Sequence, residues 1–182
     1  VKLADYPVVD LILGKQKRTV TGNGASGVRY HTFPETLQKR LREYSDKGGD
    51  LIISGQYVAT DLTDIRSDAA DRRFAEEVLG LAPTESYRRK SGRLRDASGA
   101  AFQYSATLND SHYIVESPDI IIPAENARTT PLLTFSDSGE SAGQIVNRGK
   151  GKVAVISVPI EAFTDPSELA RLYGKILAEI RK

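Results

Sequence analysis

The chain has 182 residues, of which 40% are apolar and 27% are charged, and its formal net charge is +1. This composition is typical of one folded domain, and the balanced charge argues against a partner that is a nucleic acid. The absence of cysteine excludes disulfides, zinc–thiolate sites and a cysteine nucleophile. The longest apolar runs fall well short of the roughly 20 residues that span a bilayer, so we expect no membrane span.

Apolar runs and helical periodicity alternate in the first half of the chain. The predicted order is strand, helix, strand, helix, at residues 8–14, 32–49, 51–54 and 67–80. A nearly continuous apolar run is typical of a strand that is buried on both faces. A polar loop, residues 15–31, separates the first strand from the first helix, which Gly48 and Gly49 are expected to end.

The middle of the chain changes character and the end returns to the first pattern. Short alternating segments at 101–108, 112–116 and 120–123 predict β-strands joined by polar turns. An apolar run at 153–158 predicts another central strand, and Asp165 caps a final amphipathic helix. The pattern therefore predicts an α/β domain with a mainly parallel sheet, helices on both faces and a β-rich insertion in the middle.

Ser54 is the main catalytic candidate, because it stands where a buried strand ends and Gly55 follows it. Ligands of open α/β sheets bind beyond the carboxyl ends of the strands, and hydrolases hold a serine nucleophile at such a turn. The usual turn reads G-x-S-x-G, whereas Ile52 and Gln56 occupy its glycine positions. The alternative interpretation is a small residue at a crowded strand end that bonds to local backbone.

The two histidines, His31 and His112, are candidate bases only if the fold brings one of them to Ser54. Neither histidine is bracketed by carboxylates at the spacing of metal ligands. We therefore expect no metal site and no cofactor, and both rings are better explained as surface or capping residues.

Three segments are candidates for binding an anion. Residues 22–27 match G-x-G-x-x-G, but they lie far from the end of a strand and the start of a helix, which favours a flexible loop. Lys15 and Arg18 in the same loop could attract a small anion. Arg88 and Arg89 belong to a basic run that could contact acidic polysaccharide or phosphate, or form a solvated rim.

Residues 5–14, 48–49 and 51–55 resemble the class I glutamine amidotransferase-like, flavodoxin-like superfamily. They are most similar to a domain of large secreted Bacteroidetes proteins that carry the label xanthan lyase or occur with golvesin-like modules, and residues 155–163 resemble the terminal strand motif of that group. The resemblance implies a single three-layer, flavodoxin-like domain over residues 1–182. It also implies a secreted or cell-envelope location, and a chain that is one piece of a larger protein with its neighbouring domains as partners.

The resemblance places two residues in the positions of an amidotransferase site. Ser54 takes the region of the family's cysteine, and Glu161 takes the glutamate that follows the last strand. Pro159 falls where the family has its histidine, so the base is missing. The absence of cysteine excludes glutamine hydrolysis.

We therefore expect a non-catalytic accessory or interaction domain that binds carbohydrate or a neighbouring module. Its residual pocket is predicted at the strand ends, at Gly14, Lys15, Gly55 and Gln56. One alternative is a serine esterase or amidase, in which Ser54 attacks, His31 or His112 is the base and Glu161 orients it. Another is a binder of a small anionic ligand through Lys15 and Arg18.

Overall fold

The computed structural model describes residues 2–20, 28–84, 87 and 91–182, and this part contains nine strands and four α-helices. The strands are β1 (Val8–Ile12), β2 (Thr19–Val20), β3 (Val28–Tyr30), β4 (Asp50–Ser54), β5 (Arg93–Arg95), β6 (Ala101–Gln103), β7 (Thr129–Phe135), β8 (Ser141–Asn147) and β9 (Lys152–Ile156). The helices are α1 (Glu35–Asp46), α2 (Thr60–Thr63), α3 (Ala69–Glu77) and α4 (Pro166–Ile180). Within the described ranges, no helix is both long and apolar enough to cross a membrane.

The main sheet is mixed and curls into a half-barrel, with the strand order β1-β4-β9-β8-β7-β5-β6. The β1–β4 and β4–β9 pairs are parallel, and the other four pairs are antiparallel. Helices account for only 28% of the residues. The prediction of a three-layer, flavodoxin-like, mainly parallel sheet is therefore wrong. The physical reason is that β8 runs back along β9 and extends the sheet with antiparallel strands.

The predicted insertion is also wrong in its details. Residues 112–116 and 120–123 form no strand in the described chain, although Val115 and Ile121 are buried. Their backbone groups instead make single bonds, from Val115 N–H to Ser105 O at 2.8 Å and from Ile121 N–H to Ser141 O at 2.9 Å. The alternating pattern in these two segments therefore indicates which side chains are buried, and it does not indicate that the segments pair as strands.

The parallel strands β1, β4 and β9 position the candidate site. Successive side chains of a strand point to opposite faces, so Leu51 and Ile53 of β4 pack with Phe33 and Phe74 near α1 and α3, while Ile52 lies in the other core. The rings of Phe33 and Phe74 are 5.5 Å apart. The three strands run in the same direction, so their carboxyl ends meet at one edge.

Helix α4 covers the opposite face of the sheet. Its side chains Leu172, Ile176 and Ile180 are buried at a spacing of four residues and share a core with Ile52. Asp165 begins the helix, since its carboxylate accepts hydrogen bonds from the backbone N–H groups of residues 167 and 168. The first turn of α4 also reaches β6, the last strand of the sheet.

Candidate functional site

Ser54 is buried at the end of β4 and contacts backbone. Its hydroxyl oxygen accepts a hydrogen bond from the N–H of Ile160 at 3.3 Å, and its carbonyl accepts one from the N–H of Leu13 at 2.8 Å. Ser54 thereby ties the parallel strands to the turn after β9. Neither His31 nor His112 makes a hydrogen bond to it among the described contacts.

His31 instead belongs to a buried arginine cluster, formed by Arg18, His31, Gln38, Asp61 and Asp71. Arg18 Nη2 donates to Asp71 Oδ2 at 2.5 Å, and the Arg18 N–H donates to Asp61 Oδ1 at 2.7 Å. Gln38 Nε2 donates to Asp71 Oδ1 at 2.7 Å. His31 Nδ1 accepts from the N–H of Phe33 at 3.1 Å, and its Nε2 lies 2.9 Å from Arg18 Nη2 and 3.2 Å from Asp71 Oδ1.

The buried arginine cluster fastens the loop after β1 onto α2 and α3. Arg18 is only 4% exposed, and its guanidinium also donates to the carbonyl oxygens of Asp61 and Arg66. A buried guanidinium that is already paired with carboxylates is not free to hold a ligand. Arg18 therefore does not present its charge to solvent, whereas Lys15 and Lys17 from the same loop lie nearer the surface.

Lys15 and Lys17 differ in their partners. Lys15 Nζ donates to Glu116 Oε2 at 2.6 Å and to the carbonyl of Ile114 at 2.9 Å. Lys17 Nζ lies 4.7 Å from the centre of the Tyr57 ring and 5.2 Å from that of Tyr87, distances typical of cation–π contacts. Within the described part of the chain, Lys17 makes no ion pair.

The two tyrosines that flank Lys17 meet edge to face. Their ring centres are 6.2 Å apart with an interplanar angle of 78°, and the Tyr87 side chain is 43% exposed. Burial raises the pKa of the Tyr57 phenol, and the charges of Lys17 and Lys15 oppose that rise. The arrangement offers a ligand one exposed ring and one ammonium group.

Gln56 and Asp119 hold Tyr57 and the turn after it in place. Gln56 is buried and its Nε2 donates to Tyr57 OH at 2.8 Å, while its Oε1 has no hydrogen-bond partner in the ranges that the structure describes. The N–H of Asp119 donates to the Gln56 carbonyl at 3.0 Å. The Asp119 carboxylate accepts from the N–H groups of Ala59 and Thr60, both at 2.8 Å, and so fixes the turn after Tyr57. Burial raises the pKa of Asp119 to about 7, although these hydrogen bonds favour its charged form.

Gly14, Tyr113 and Glu161 form a second group of close contacts. Tyr113 OH donates to Glu161 Oε1 at 2.6 Å. Gly14 has a φ of +56°, and a Cβ at this position would lie 3.1 Å from the same Glu161 oxygen and 3.4 Å from Tyr113 OH. The close approach explains why glycine is needed here. Gly55 is similarly confined, because a Cβ there would lie 2.8 Å from Leu13 Cβ.

The two groups of contacts lie at the carboxyl ends of the parallel strands and are linked by the N–H of Gln56, which donates to the carbonyl of Gly14 at 2.9 Å. We call them together the edge site. Its members are Gly14, Lys17, Gln56, Tyr57, Tyr87, Tyr113 and Glu161. The sequence predicted Gly14, Gln56 and Glu161 at strand ends, where the structure has them, and their role in binding stays a prediction. The tyrosines and Lys17 were missed, because only the folded chain brings Tyr87 and Tyr113 beside the loop after β1.

The other candidates from the sequence have different outcomes. Arg88, Arg89 and residues 22–27 fall outside the described residues. His112 lies in a turn, where its backbone N–H donates to Asn109 Oδ1 at 2.7 Å. Among the described residues, no group of three or more histidine, aspartate or glutamate side chains is arranged to hold a metal ion. The expectation of no metal and no cofactor stays a prediction.

A broad groove of about 870 Å³ lies at the opposite end of β1, between residues 3–5 and the end of α1. Leu3, Tyr6 and Tyr44 contribute its apolar lining. Its charged lining includes both Arg40 and Glu43, so the groove concentrates neither sign of charge. The edge site is chemically more selective, because the half-buried ammonium group of Lys17 makes no ion pair with the described residues.

No protein-family model and no curated protein sequence matches the chain. Among solved structures, it is similar to the cytoplasmic protein STM3548 from Salmonella typhimurium, with a TM-score of 0.57 and 15% identity over 98% of this chain and 73% of that one. It also matches the exo-beta-1,4-mannosidase Op5Man5 from Opitutaceae bacterium strain TAV5, with a TM-score of 0.46 and 16% identity over 79% of this chain. The chain spans 21% of the length of the mannosidase.

These similarities concern the fold alone, because the identities are far too low to transfer a function. The flavodoxin-like description is overturned by the curled mixed sheet. An origin in a secreted Bacteroidetes protein finds no support in either structure. The resemblance to amidotransferase-like and xanthan lyase domains is matched by neither of them.

Proposed function

We propose that this domain is a non-catalytic binding module whose edge site takes a carbohydrate that carries a carboxylate group. The observation that carries the proposal is Lys17, an ammonium group held between two tyrosine rings with no ion pair in the described residues. A cation that lies near the surface and has no carboxylate partner among the described residues favours an anionic ligand.

The tyrosines supply the second half of the recognition. Tyr87 and Tyr113 are 43% and 39% exposed, so part of each side chain is open to solvent. Aromatic faces give a sugar ring an apolar surface for stacking, and a few polar groups then fix its orientation. The oxygens of Glu161 and Tyr113 can accept hydrogen bonds from sugar hydroxyls, while the Lys17 ammonium group donates to the carboxylate.

The buried serine supports a binding role over a catalytic one. Ser54 already accepts a hydrogen bond from the N–H of Ile160, and neither histidine contacts it. A serine nucleophile needs both a base and access to its substrate. A serine esterase or amidase that used His31 as its base would require the ring to leave the buried arginine cluster, where its Nε2 lies 2.9 Å from Arg18 Nη2.

Calorimetric titration with trigalacturonate and with the neutral sugar maltotriose tests the proposal. We expect trigalacturonate to bind more tightly, and Lys17→Met to weaken it about tenfold, which corresponds to about 1.4 kcal/mol. The matched control is Lys39→Met, which removes the same charge from an exposed position on α1 and should change nothing.

Two outcomes would contradict the proposal. If neither sugar binds, the edge site is not a carbohydrate site, and if the Lys17→Met variant keeps the wild-type preference for trigalacturonate, the lysine does not select the ligand. Covalent labelling by a fluorophosphonate that disappears in Ser54→Ala would instead establish a serine hydrolase.

A further inference from the structure

The two edge strands of the main sheet, β6 and β1, differ in whether their outward backbone groups have hydrogen-bond partners. At β6, the N–H of Gln103 donates to Glu168 Oε2 at 2.6 Å, and the carbonyl of Ala101 accepts from Arg171 Nη2 at 2.6 Å. The carbonyl of Gln103 accepts from the N–H of Thr164 at 3.1 Å. Side chains of α4 and the segment before it therefore satisfy the outer backbone groups of this edge, which protects it from pairing with another chain.

The β1 edge is open. Asp50 N–H donates to the carbonyl of Pro7 at 3.2 Å, and Leu13 N–H donates to the carbonyl of Ser54 at 2.8 Å. These two bonds fix the register, so every second residue from Pro7 turns its backbone towards β4. The backbone groups of Val8, Asp10 and Ile12 face outward. None of them has a hydrogen-bond partner within residues 2–20, 28–84, 87 and 91–182.

The outward-facing residues also carry a distinct chemical pattern. Ile12 is 46% exposed, Val8 is partly exposed, and Asp10 stands between them on the same face of the strand. The Asp10 carboxylate accepts a hydrogen bond from Tyr173 OH at 2.6 Å and makes no ion pair in the part of the chain that is described. The edge therefore offers two apolar positions with one unpaired negative charge in the middle.

Asp10 is also close enough to Glu161 for the two charges to interact. Partial desolvation raises the pKa of Asp10, the hydrogen bond from Tyr173 lowers it, and the charge of Glu161 raises it further. Glu161 itself contacts the hydroxyl of Tyr113 rather than a cation. A positive charge placed beside β1 would therefore be attracted by two carboxylates at once.

We propose that the β1 edge binds an extended segment of a partner chain as an additional strand, with a lysine or arginine opposite Asp10 and apolar residues on either side of it. Main-chain hydrogen bonds to residues 8, 10 and 12 give the affinity, and the alternate side chains give the specificity. A second copy of this chain is disfavoured, because antiparallel pairing centred on Asp10 would place two aspartates opposite each other. This inference does not depend on the carbohydrate proposal.

Fluorescence anisotropy with two labelled peptides tests this surface. Both peptides alternate valine and threonine, and the central residue is lysine in one and glutamate in the other. We expect the lysine peptide to bind at least about tenfold more tightly to the wild-type domain, as expected for opposite charges that pair at a partly desolvated position. In Asp10→Lys, the preference should reverse.

The variant Ile12→Pro tests whether the backbone is involved. Proline removes the outward N–H of residue 12 without removing a hydrogen bond to β4, so the domain should fold and lose most of its affinity for the lysine peptide. Equal binding of the two peptides, or binding that survives Ile12→Pro, would overturn the proposal. Sedimentation that shows a dimer of the wild-type domain, lost in Ile12→Pro, would assign the edge to a second copy and would overturn it as well.

Discussion

Arg18 and Lys17 are neighbours in the chain, yet the fold places their charges in opposite surroundings. Arg18 is buried and its guanidinium donates to Asp71 and to two backbone carbonyls. Lys17 lies between two tyrosine rings and makes no ion pair with the described residues. One loop therefore has two roles. Arg18 anchors the loop to the helices, and Lys17 is thereby held at the carboxyl ends of the strands.

The largest expected effect comes from removing each of the two charges in turn. Arg18→Met leaves the buried Asp71 without its closest cation, and breaking a buried pair in this way costs about 3–5 kcal/mol of unfolding free energy. Lys17→Met breaks no ion pair and should change the unfolding free energy by less than about 0.5 kcal/mol. Urea denaturation of both variants measures the difference.

The second variant is the control for the first, because both replace a basic side chain of the same loop with methionine. Equal losses of stability in Arg18→Met and Lys17→Met would mean that the loop is not anchored by the buried arginine cluster. The comparison between the two cations would then be wrong.

A smaller effect is expected from Asp119, which lies beneath the tyrosines of the edge site. Its pKa is about 7 in the folded chain against an ordinary 3.8, so between these values the folded state keeps a proton that the unfolded state has released. Stability that comes from this group is therefore highest below pH 3.8 and falls as the pH rises towards about 7, by about 1 kcal/mol for each pH unit.

Thermal or urea unfolding across this pH range checks the prediction. Asp119→Asn should lack the decline that the wild-type chain shows, whatever its absolute stability. Lys17 lowers the pKa of Asp119, so Lys17→Met should extend the decline to higher pH. An unchanged slope in Asp119→Asn would show that this carboxyl is ionised throughout.

The sequence predicts the separate elements better than it predicts their assembly. Nearly continuous apolar runs located β4 and β9, and helical periodicity with a capping aspartate located α4. The direction of β8 and β7 could not be read from their residues, because alternation is the same in parallel and antiparallel strands. The arginine cluster was equally hidden, since Arg18 and Asp71 meet only after the loop has folded onto α3.

The residues of the candidate site also fall into those that could be predicted from the sequence and those that could not. Gly14, Gln56 and Glu161 follow strands, and the carboxyl end of a strand is a place where general principles expect ligands. Nothing in the local sequence of Tyr87 and Tyr113 indicates which strand end they approach. Lys15 and Lys17 look alike in the sequence. The structure distinguishes them, because Lys15 forms an ion pair with Glu116 and Lys17 lies between two tyrosine rings.

The smallest expected effect concerns Gly14, which lies beside the Tyr113–Glu161 pair of the edge site. Gly14→Ala forces a Cβ into a left-handed conformation and to 3.1 Å from Glu161 Oε1, whereas Gly99→Ala has a similar positive φ with nothing within 4 Å. We expect Gly99→Ala to lower the free energy of unfolding by about 1 kcal/mol through its backbone conformation alone. Gly14→Ala should lower it by about 1 kcal/mol more, because it also displaces Glu161.

The same variant tests binding. Because the displacement moves the Tyr113–Glu161 pair and leaves Lys17 in place, trigalacturonate should still bind Gly14→Ala, with a loss of affinity smaller than that of Lys17→Met. A larger loss in Gly14→Ala would mean that Glu161 and Tyr113, rather than the unpaired lysine, select the ligand.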